Sequence, residues 1–359
     1  MLKTTDFDFD LPPELIAIQP KNPRDSSKML VFGQDQKILD KQVSDLADFL
    51  DEGDILVLND TKVIKAKLLG KRNEAKIEIN LHKAIDERNG IWQAFAKPAK
   101  RLKIGDKFII SDDFFAQVLN KNEDGIIDLR FNESGEKFFL MLEKYGQMPI
   151  PPYIKRDINS KNDFDKDSQT YQTIYARDEN AKAVAAPTAG LHFTEELFAK
   201  LERKGIKKAF VTLNVGAGTF LPVKSEFVKD HQMHSEYFTI NEDTCLAING
   251  ARKNGKRVIA VGTTSLRVLE SVVDEFGQLK PESRETKIFI YPPYDFKIVD
   301  ILMTNFHLPK STLFMLVATF IGKENAFKIY NHAISKQYRF YSFGDTTLLF
   351  RSSTTKEAS

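Results

Sequence analysis

Cysteine is almost missing from this chain: one residue, Cys245, in 359. A lone thiol closes no internal disulfide and supplies too few ligands for a structural zinc site. No apolar run approaches the ~20 residues of a membrane-spanning helix. The opening residues, Met1-Leu2-Lys3-Thr4-Thr5-Asp6, lack the basic-then-apolar layout of a secretory signal. The expected location is therefore the cytoplasm, with no membrane partner. Charge of one sign is scarce too, with 52 basic residues against 50 acidic and a net charge of +2. Any polyanion must meet a local patch rather than the field of the whole molecule. Two glycine motifs are incomplete. Gly262-Thr263-Thr264-Ser265 lacks the Gly-Lys-Ser/Thr of a Walker A loop, and Gly216-Ala217-Gly218 lacks the third glycine of a dinucleotide fingerprint, which argues against nicotinamide binding.

What is present is ordinary for a soluble globular protein, with 42% hydrophobic and 28% charged residues. The length predicts about two domains. Three basic clusters are candidate polyanion patches: Lys97, Lys100, Arg101 and Lys103; Lys200, Arg203, Lys204, Lys207 and Lys208; Arg252, Lys253, Lys256 and Arg257. Solvated helix ends explain any one of them equally well.

From about Ala181 to Tyr338, strand and helix signals alternate. Strands are expected at Lys182–Ala186, Lys208–Val215, Arg257–Val261, Lys287–Tyr291 and Ile298–Met303. Thr194 caps a helix with Glu195 and Glu196 in its first turn, Leu197, Phe198 and Leu201 on one face, and Gly205 as its stop. Further helices are expected over Asp243–Asn254, from Leu266 through Phe276 to Gly277, over Thr312–Ile321 behind Ser311, and over Glu324–Gln337. The pattern predicts an α/β main domain with a largely parallel sheet, open or closed into a barrel. Lys65 to Arg130 instead carries short alternating segments, Ala75–Leu81, Ile91–Ala96, Lys107–Ile110 and Ile126–Phe131, which predict an inserted small all-β barrel. The expected division is 1–64 with 150–359 for the barrel-like α/β domain and 65–149 for the insertion. Lys155–Thr170, nearly free of apolar residues, predicts a long exposed loop.

In such a sheet, ligands bind beyond the carboxyl ends of the strands. The polar motifs all fall there: Asn59-Asp60-Thr61, Pro187-Thr188-Ala189-Gly190-Leu191-His192, Gly216-Ala217-Gly218-Thr219-Phe220, Gly262-Thr263-Thr264-Ser265 and Thr304-Asn305-Phe306-His307. A helix start at Gly262 offers backbone donors to a phosphate or carboxylate, or is simply well capped. His231 and His234 with Glu236 fall short of a metal site, so no metal is expected. They serve as substrate-positioning or proton-carrying imidazoles, or they face solvent. His82 and His332 lie in unremarkable contexts and read as structural.

Taken in order, these motifs, together with Asp6-Phe7-Asp8-Phe9-Asp10-Leu11-Pro12, Pro149-Ile150-Pro151-Pro152-Tyr153-Ile154-Lys155-Arg156 and Leu308-Pro309-Lys310-Ser311-Thr312, resemble the S-adenosylmethionine:tRNA ribosyltransferase-isomerases of queuosine biosynthesis. The resemblance runs on to Tyr338-Arg339-Phe340 and Gly344-Asp345, nearly the whole chain. It implies a barrel-like α/β domain with an inserted β-barrel. The implied activity transfers the ribosyl part of S-adenosylmethionine to the aminomethyl group of a 7-deazaguanine in a tRNA anticodon. The sugar is rearranged to an epoxycyclopentanediol, and adenine and methionine leave. No metal or redox cofactor is implied, S-adenosylmethionine being consumed as substrate, and a monomer is expected.

That chemistry needs a base for the ribose methylene beside the sulfonium and assistance to the departing adenine. Neutral imidazoles fit, which makes His192 and His234 candidate proton carriers with Glu236 orienting either. Asn59, Asp60 and Thr61 are candidates for the ribose hydroxyls or adenine, and Thr263, Thr264 and Ser265 for the methionine carboxylate or a tRNA phosphate. Thr188, Gly190, Gly216, Gly218, Thr219, Phe220, His231, Asn305 and His307 complete the expected substrate-binding set. Three positions depart from the pattern. Asn214 replaces a usual histidine, Thr170 replaces a usual arginine, and Gly344-Asp345-Thr346-Thr347 differs from a small-residue-then-Met sequence. Two other classes use the same motifs: a nucleosidase or methyltransferase acting on a small substrate, and a non-catalytic tRNA-binding protein.

Overall fold

The computed structural model describes residues 1–122, 125–154, 161–216 and 223–352. A nine-stranded mixed sheet forms the body. Its centre is β3 (Ile55–Asn59), flanked by β12 (Lys207–Leu213) and β14 (Val258–Val261), with β16 (Ile301–Asn305) beyond β14, all parallel. Every residue of β3, β14 and β16 is buried, as continuous apolar strands require when both faces are covered. Ile55 and Val57 enter one core with Ala260 and Leu302, while Leu56 and Leu58 enter the other with Ile259 and Met303.

The flanks are not parallel throughout. β17 (Thr346–Phe350) runs antiparallel to β16, β1 (Lys28–Phe32) runs parallel to β17, and β2 (Ile38–Gln42) closes that side antiparallel. On the other side, β13 (Glu236–Ile240) and β15 (Glu282–Thr286) add antiparallel strands. The expectation of a largely parallel sheet therefore holds for its middle alone.

The inserted region is a closed six-stranded antiparallel barrel. It comprises β5 (Lys67–Arg72), β6 (Ala75–Asp86), β7 (Ile91–Lys97), β8 (Lys107–Ile109), β9 (Phe115–Lys121) and β10 (Ile126–Phe131). Alternation drives it: Ile77, Ile79 and Leu81 of β6 point inward to Trp92, Ala94 and Ile127. Helix α1 (Gly135–Tyr145) packs Phe138 and Leu142 on this core. The short strands β4 (Lys62–Val63) and β11 (Ala181–Ala183) pair in parallel where the chain leaves β3 and later returns.

Capping fixes the helices where the sequence places them. In α3 (Glu195–Arg203) the Thr194 hydroxyl accepts from Leu197 N at 3.1 Å, and Gly205 follows at φ +77. In α4 (Glu242–Lys253) the Asn241 side chain accepts from Thr244 N, and in α6 (Thr312–Ile321) Ser311 accepts from Phe314 N. Helix α7 (Lys323–Ser335) follows directly.

Four expected elements differ, the first being the strand expected at Lys182–Ala186, which forms only as β11 and pairs with β4 outside the main sheet. Helix α5 (Gly262–Val272) ends before Phe276, which is exposed, because the Asp274 carboxylate accepts from the amides of Phe276 and Gln278 and closes a turn there. The strand expected at Lys287–Tyr291 forms five residues earlier, as β15. Its Glu-Ser-Arg-Glu-Thr sequence is that of a charged edge strand, which carries no hydrophobic signal. Within the expected loop, Lys161–Thr170 is helix α2. Arg24 donates to the carbonyls of Gln169 and Gln172 at 2.7 and 2.8 Å, and this tertiary cap satisfies a helix end that has no apolar periodicity.

Candidate active site

Asn59, Leu213, Val261 and Asn305 end the four central parallel strands at one edge, and four of the five polar motifs leave from there, whereas Pro187–His192 follows β11 outside that sheet. After β14 the chain turns at Gly262, whose φ of +87 excludes most side chains. Helix α5 then begins with no side-chain cap, so its first-turn amides remain available as donors. They border a small cavity of about 70 Å³ lined by Thr188, Thr263, Thr264, Asn305, His307 and Val215. Thr188 Oγ1 donates to Asn305 Oδ1 at 3.2 Å, and Asn305 Nδ2 reaches Tyr341 O at 3.3 Å. Thr264 Oγ1 is buried in this wall without a hydrogen-bond partner among the described residues. His307 Nε2 lies 3.1 Å from Thr304 Oγ1, and burial pushes its pKa down to about 3.

A second cavity, of about 330 Å³, opens between the barrel and the sheet. His82 and Trp92 line it from the barrel, and Asn214, Gly216, Glu236 and Tyr237 from the body. Val215 lines both cavities, so they adjoin. Ion pairs straddle the opening: Lys83 meets Glu285 at 2.6 Å, and Lys182 meets Glu87 at 3.1 Å. Below them Glu236 accepts from Gly216 N at 3.1 Å and is paired with Arg267 of α5. Burial, then the charges of His234 and Lys83, lowers the His82 pKa to about 4. His82 Nδ1 and Trp92 Nε1 are both buried without partners among the described residues.

The other expected residues are placed as follows. Asn59 is spent on backbone: its Nδ2 donates to Leu213 O and its Oδ1 accepts from Leu213 N and Thr61 N. Asp60 accepts from Thr212 and Asn180 and faces Arg177, with burial raising its carboxyl above the usual range. Thr61 donates to Asn214 Oδ1 at 3.0 Å, so the residue that departs from the family pattern still serves as an acceptor beside the larger cavity. Ser265 Oγ donates back to Val261 O. Gly190 packs under Tyr175, whose hydroxyl would lie 1.9 Å from an added Cβ. His192 is buried behind Asn305, its Nε2 3.3 Å from Asn305 Nδ2, with its pKa lowered to about 4 by burial. His231 packs on Phe289, and exposed His234 stands edge-on to His82 with ring centroids 6.1 Å apart. Gly218, Thr219 and Phe220 lie outside the described residues.

Sequence reasoning missed three residues. Arg267 is one, and burial of a lone arginine among Leu266, Val268 and Leu269 was the available signal. Trp92 is the second. His82, read as structural, is the third: alternation from Leu81 sends it out of the barrel, toward the cleft. Of the basic clusters, Lys200, Lys204, Arg252 and Arg257 are tied to carbonyls or carboxylates, whereas Lys97, Lys100 and Arg101 on the barrel have no side-chain partner among the described residues.

The profile of a family described as "Queuosine biosynthesis protein" matches residues 4–349. The S-adenosylmethionine:tRNA ribosyltransferase-isomerase of Rhodospirillum rubrum is 51% identical over 344 residues, covering 96% of each chain. That of Zymomonas mobilis is 52% identical over 349 residues, covering 96% of this chain and 98% of the relative. Among solved structures, an S-adenosylmethionine tRNA ribosyltransferase from Thermotoga maritima is 34% identical, with a TM-score of 0.55 across 96% of this chain and 100% of that one.

Proposed function

Because the chain belongs to the queuosine biosynthesis protein family, we infer that it is an S-adenosylmethionine:tRNA ribosyltransferase-isomerase. It modifies tRNA by transferring the ribosyl moiety of S-adenosylmethionine to 7-aminomethyl-7-deazaguanine in the anticodon and isomerising it. The product is epoxyqueuosine, with adenine and methionine released.

The observation that carries this reading is the pair of adjoining cavities that share Val215. A two-substrate transfer needs two sites whose reacting atoms meet. The smaller cavity, with the amides of α5 and the hydroxyls of Thr188, Thr263 and Thr264, suits the carboxylate and ribose hydroxyls of a sulfonium nucleoside. Solvent access at the cleft makes His234 the proton carrier in this reading, with Asn305 set by His192. Sulfur and adenine are the leaving groups and no net oxidation occurs, so no redox cofactor takes part.

The partners are tRNA and S-adenosylmethionine. No helix among the described residues is long and apolar enough to cross a membrane; a cytoplasmic reaction, where a tRNA substrate is at hand, and a monomeric chain belong to the proposal. The test is adenine release from S-adenosylmethionine with tRNA carrying the aminomethyl deazaguanine. Release that depends on the tRNA is expected. Release without tRNA indicates a nucleosidase, and binding without release a non-catalytic binder.

A further inference from the structure

Three observations converge on the barrel side of the larger cleft. Trp92 lines it, buried to 2% exposure, and its indole N–H has no acceptor among the described residues. His82 lines it as well, and its Nδ1 is buried without a partner among the described residues. The β6–β7 register slips between Leu81 and Lys83, so the ladder is broken at His82 itself. A bulge of this kind re-aims one side chain and recurs beside binding sites. Unpaired buried polar atoms are costly, and two of them on residues that line one cavity point to a ligand that completes them.

The chemistry of that ligand follows from the walls. The charges at the opening are already matched in pairs, Lys83 with Glu285 and Lys182 with Glu87, so recognition of the ring falls to the uncharged walls. His82 and Tyr237 supply aromatic surface with Trp92 buried in the same wall, and Gly216 lies so near His82 that an added Cβ would come within 3.1 Å of Cε1. A flat heterocycle with edge donors and acceptors fits such a slot, as in enzymes that extrude a base to act on it. The unpaired cations lie on the same barrel: β7 carries Trp92 near one end and Lys97 at the other, ~17 Å along the strand, with Lys100 and Arg101 just beyond. A phosphate backbone held there keeps its own base within reach of the cleft.

We propose that the cleft between barrel and sheet is the seat of the tRNA purine-type base, and that His82 and Trp92 are the residues that read its edge. The assignment rests on the functional reading above and adds the place and the readers of one substrate. At neutral pH the imidazole of His82 is uncharged, so it offers one donor and one acceptor to the base.

Trp92 is the only tryptophan in the chain, so intrinsic emission reports on this cleft alone. The intact protein is titrated separately with the free base 7-aminomethyl-7-deazaguanine and with S-adenosylmethionine. Saturable change with the base is expected, with affinity about tenfold lower in His82→Ala. Trp92→Phe keeps a ring against Phe138 but deletes the indole N–H, and it should raise KM for tRNA about tenfold while leaving KM for S-adenosylmethionine in place. No emission change up to millimolar base, or a response to S-adenosylmethionine alone, overturns the proposal, as does an equal rise in both KM values. Because the titration needs no turnover, a protein that binds the base but releases no adenine sinks the functional reading, while adenine release without the emission change sinks only this assignment.

Discussion

Arg267 donates to Glu236 with both side chains buried to about 6% exposure, a full ion pair sealed between α5 and the first residue of β13. The carboxylate also holds Gly216 N, so the pair fixes the backbone that separates the two cavities. Two further nitrogens of Arg267, Nε and Nη2, are buried without partners among the described residues. Replacing Arg267 by Met leaves the carboxylate without its cation and should cost about 3–5 kcal/mol. Glu236→Gln should be comparably damaging, because it strands the guanidinium instead. The double variant Arg267→Met with Glu236→Gln should recover at least ~1 kcal/mol of the summed loss. Urea denaturation of the four proteins checks this, and strictly additive losses would rule the coupling out.

Asn59 reads in the sequence as a ligand-holding residue, and the geometry assigns it other work. Its amide bonds Leu213 twice, at 3.0 Å each, and Thr61 N at 3.2 Å, stitching β3 to β12 where both strands end. Asn59→Ala strands three buried backbone groups and should destabilise the protein by about 2–4 kcal/mol. At low temperature the folded fraction should keep its KM for S-adenosylmethionine within about threefold. Thermal melts paired with steady-state kinetics decide it: a stable variant whose KM rises a hundredfold would return Asn59 to the substrate site.

How much could be read in advance varied with the kind of force that forms each part. Helices α3 and α6 were legible because Thr194 and Ser311 are local caps in front of apolar residues. The barrel was legible because period-two alternation needs only near neighbours. β15 was not, since a charged edge strand forms by pairing with β13 rather than by burying side chains. α2 was not, because its cap is Arg24, some 145 residues away. The motifs did converge on one edge, yet which motif side chain faces a cavity and which faces the frame was hidden. Thr263 lines the pocket while Ser265 turns back on the helix, and Asn305 does so in front of His192. His82 gained its place only when the barrel docked on the sheet, a long-range event that one strand's pattern does not record.

His192 supports a prediction about rate against pH. Burial lowers its pKa to about 4, and its Nε2 faces Asn305 rather than a cavity. It is therefore neutral from pH 5 to 9, and no limb of the kcat/KM profile in that range contains its titration. His192→Gln should lower kcat/KM by about tenfold to a hundredfold through misplacement of Asn305. The shape of the profile should stay the same. If the acid limb vanishes in the variant, His192 is a proton carrier after all.

Stability against pH follows from three buried imidazoles. Burial is the leading cause of the low values of His192 and His82, about 4, and of His307, about 3. In the unfolded chain each takes up a proton near pH 6.5. Between about 6.5 and 4 the unfolded state thus binds more protons than the native one, so stability rises with pH and is lost on acidification. Each site can remove on the order of a few kcal/mol by the bottom of that window. Asp60 and Glu270, whose carboxyls burial raises, work in the opposite sense, because the native state takes their protons first. Their influence begins just above the ordinary carboxylate range near 4 and blunts the loss only at the acid end. Melting temperature should accordingly be level from pH 8 to 7 and fall steadily from about 6.5 to 4.5. His307→Gln, which cannot titrate, should flatten part of that slope even if it lowers the plateau. A melting temperature unchanged between pH 7 and 5 would mean that these rings are protonated within the fold, and the packing described around Thr304 and Asn305 would then be wrong.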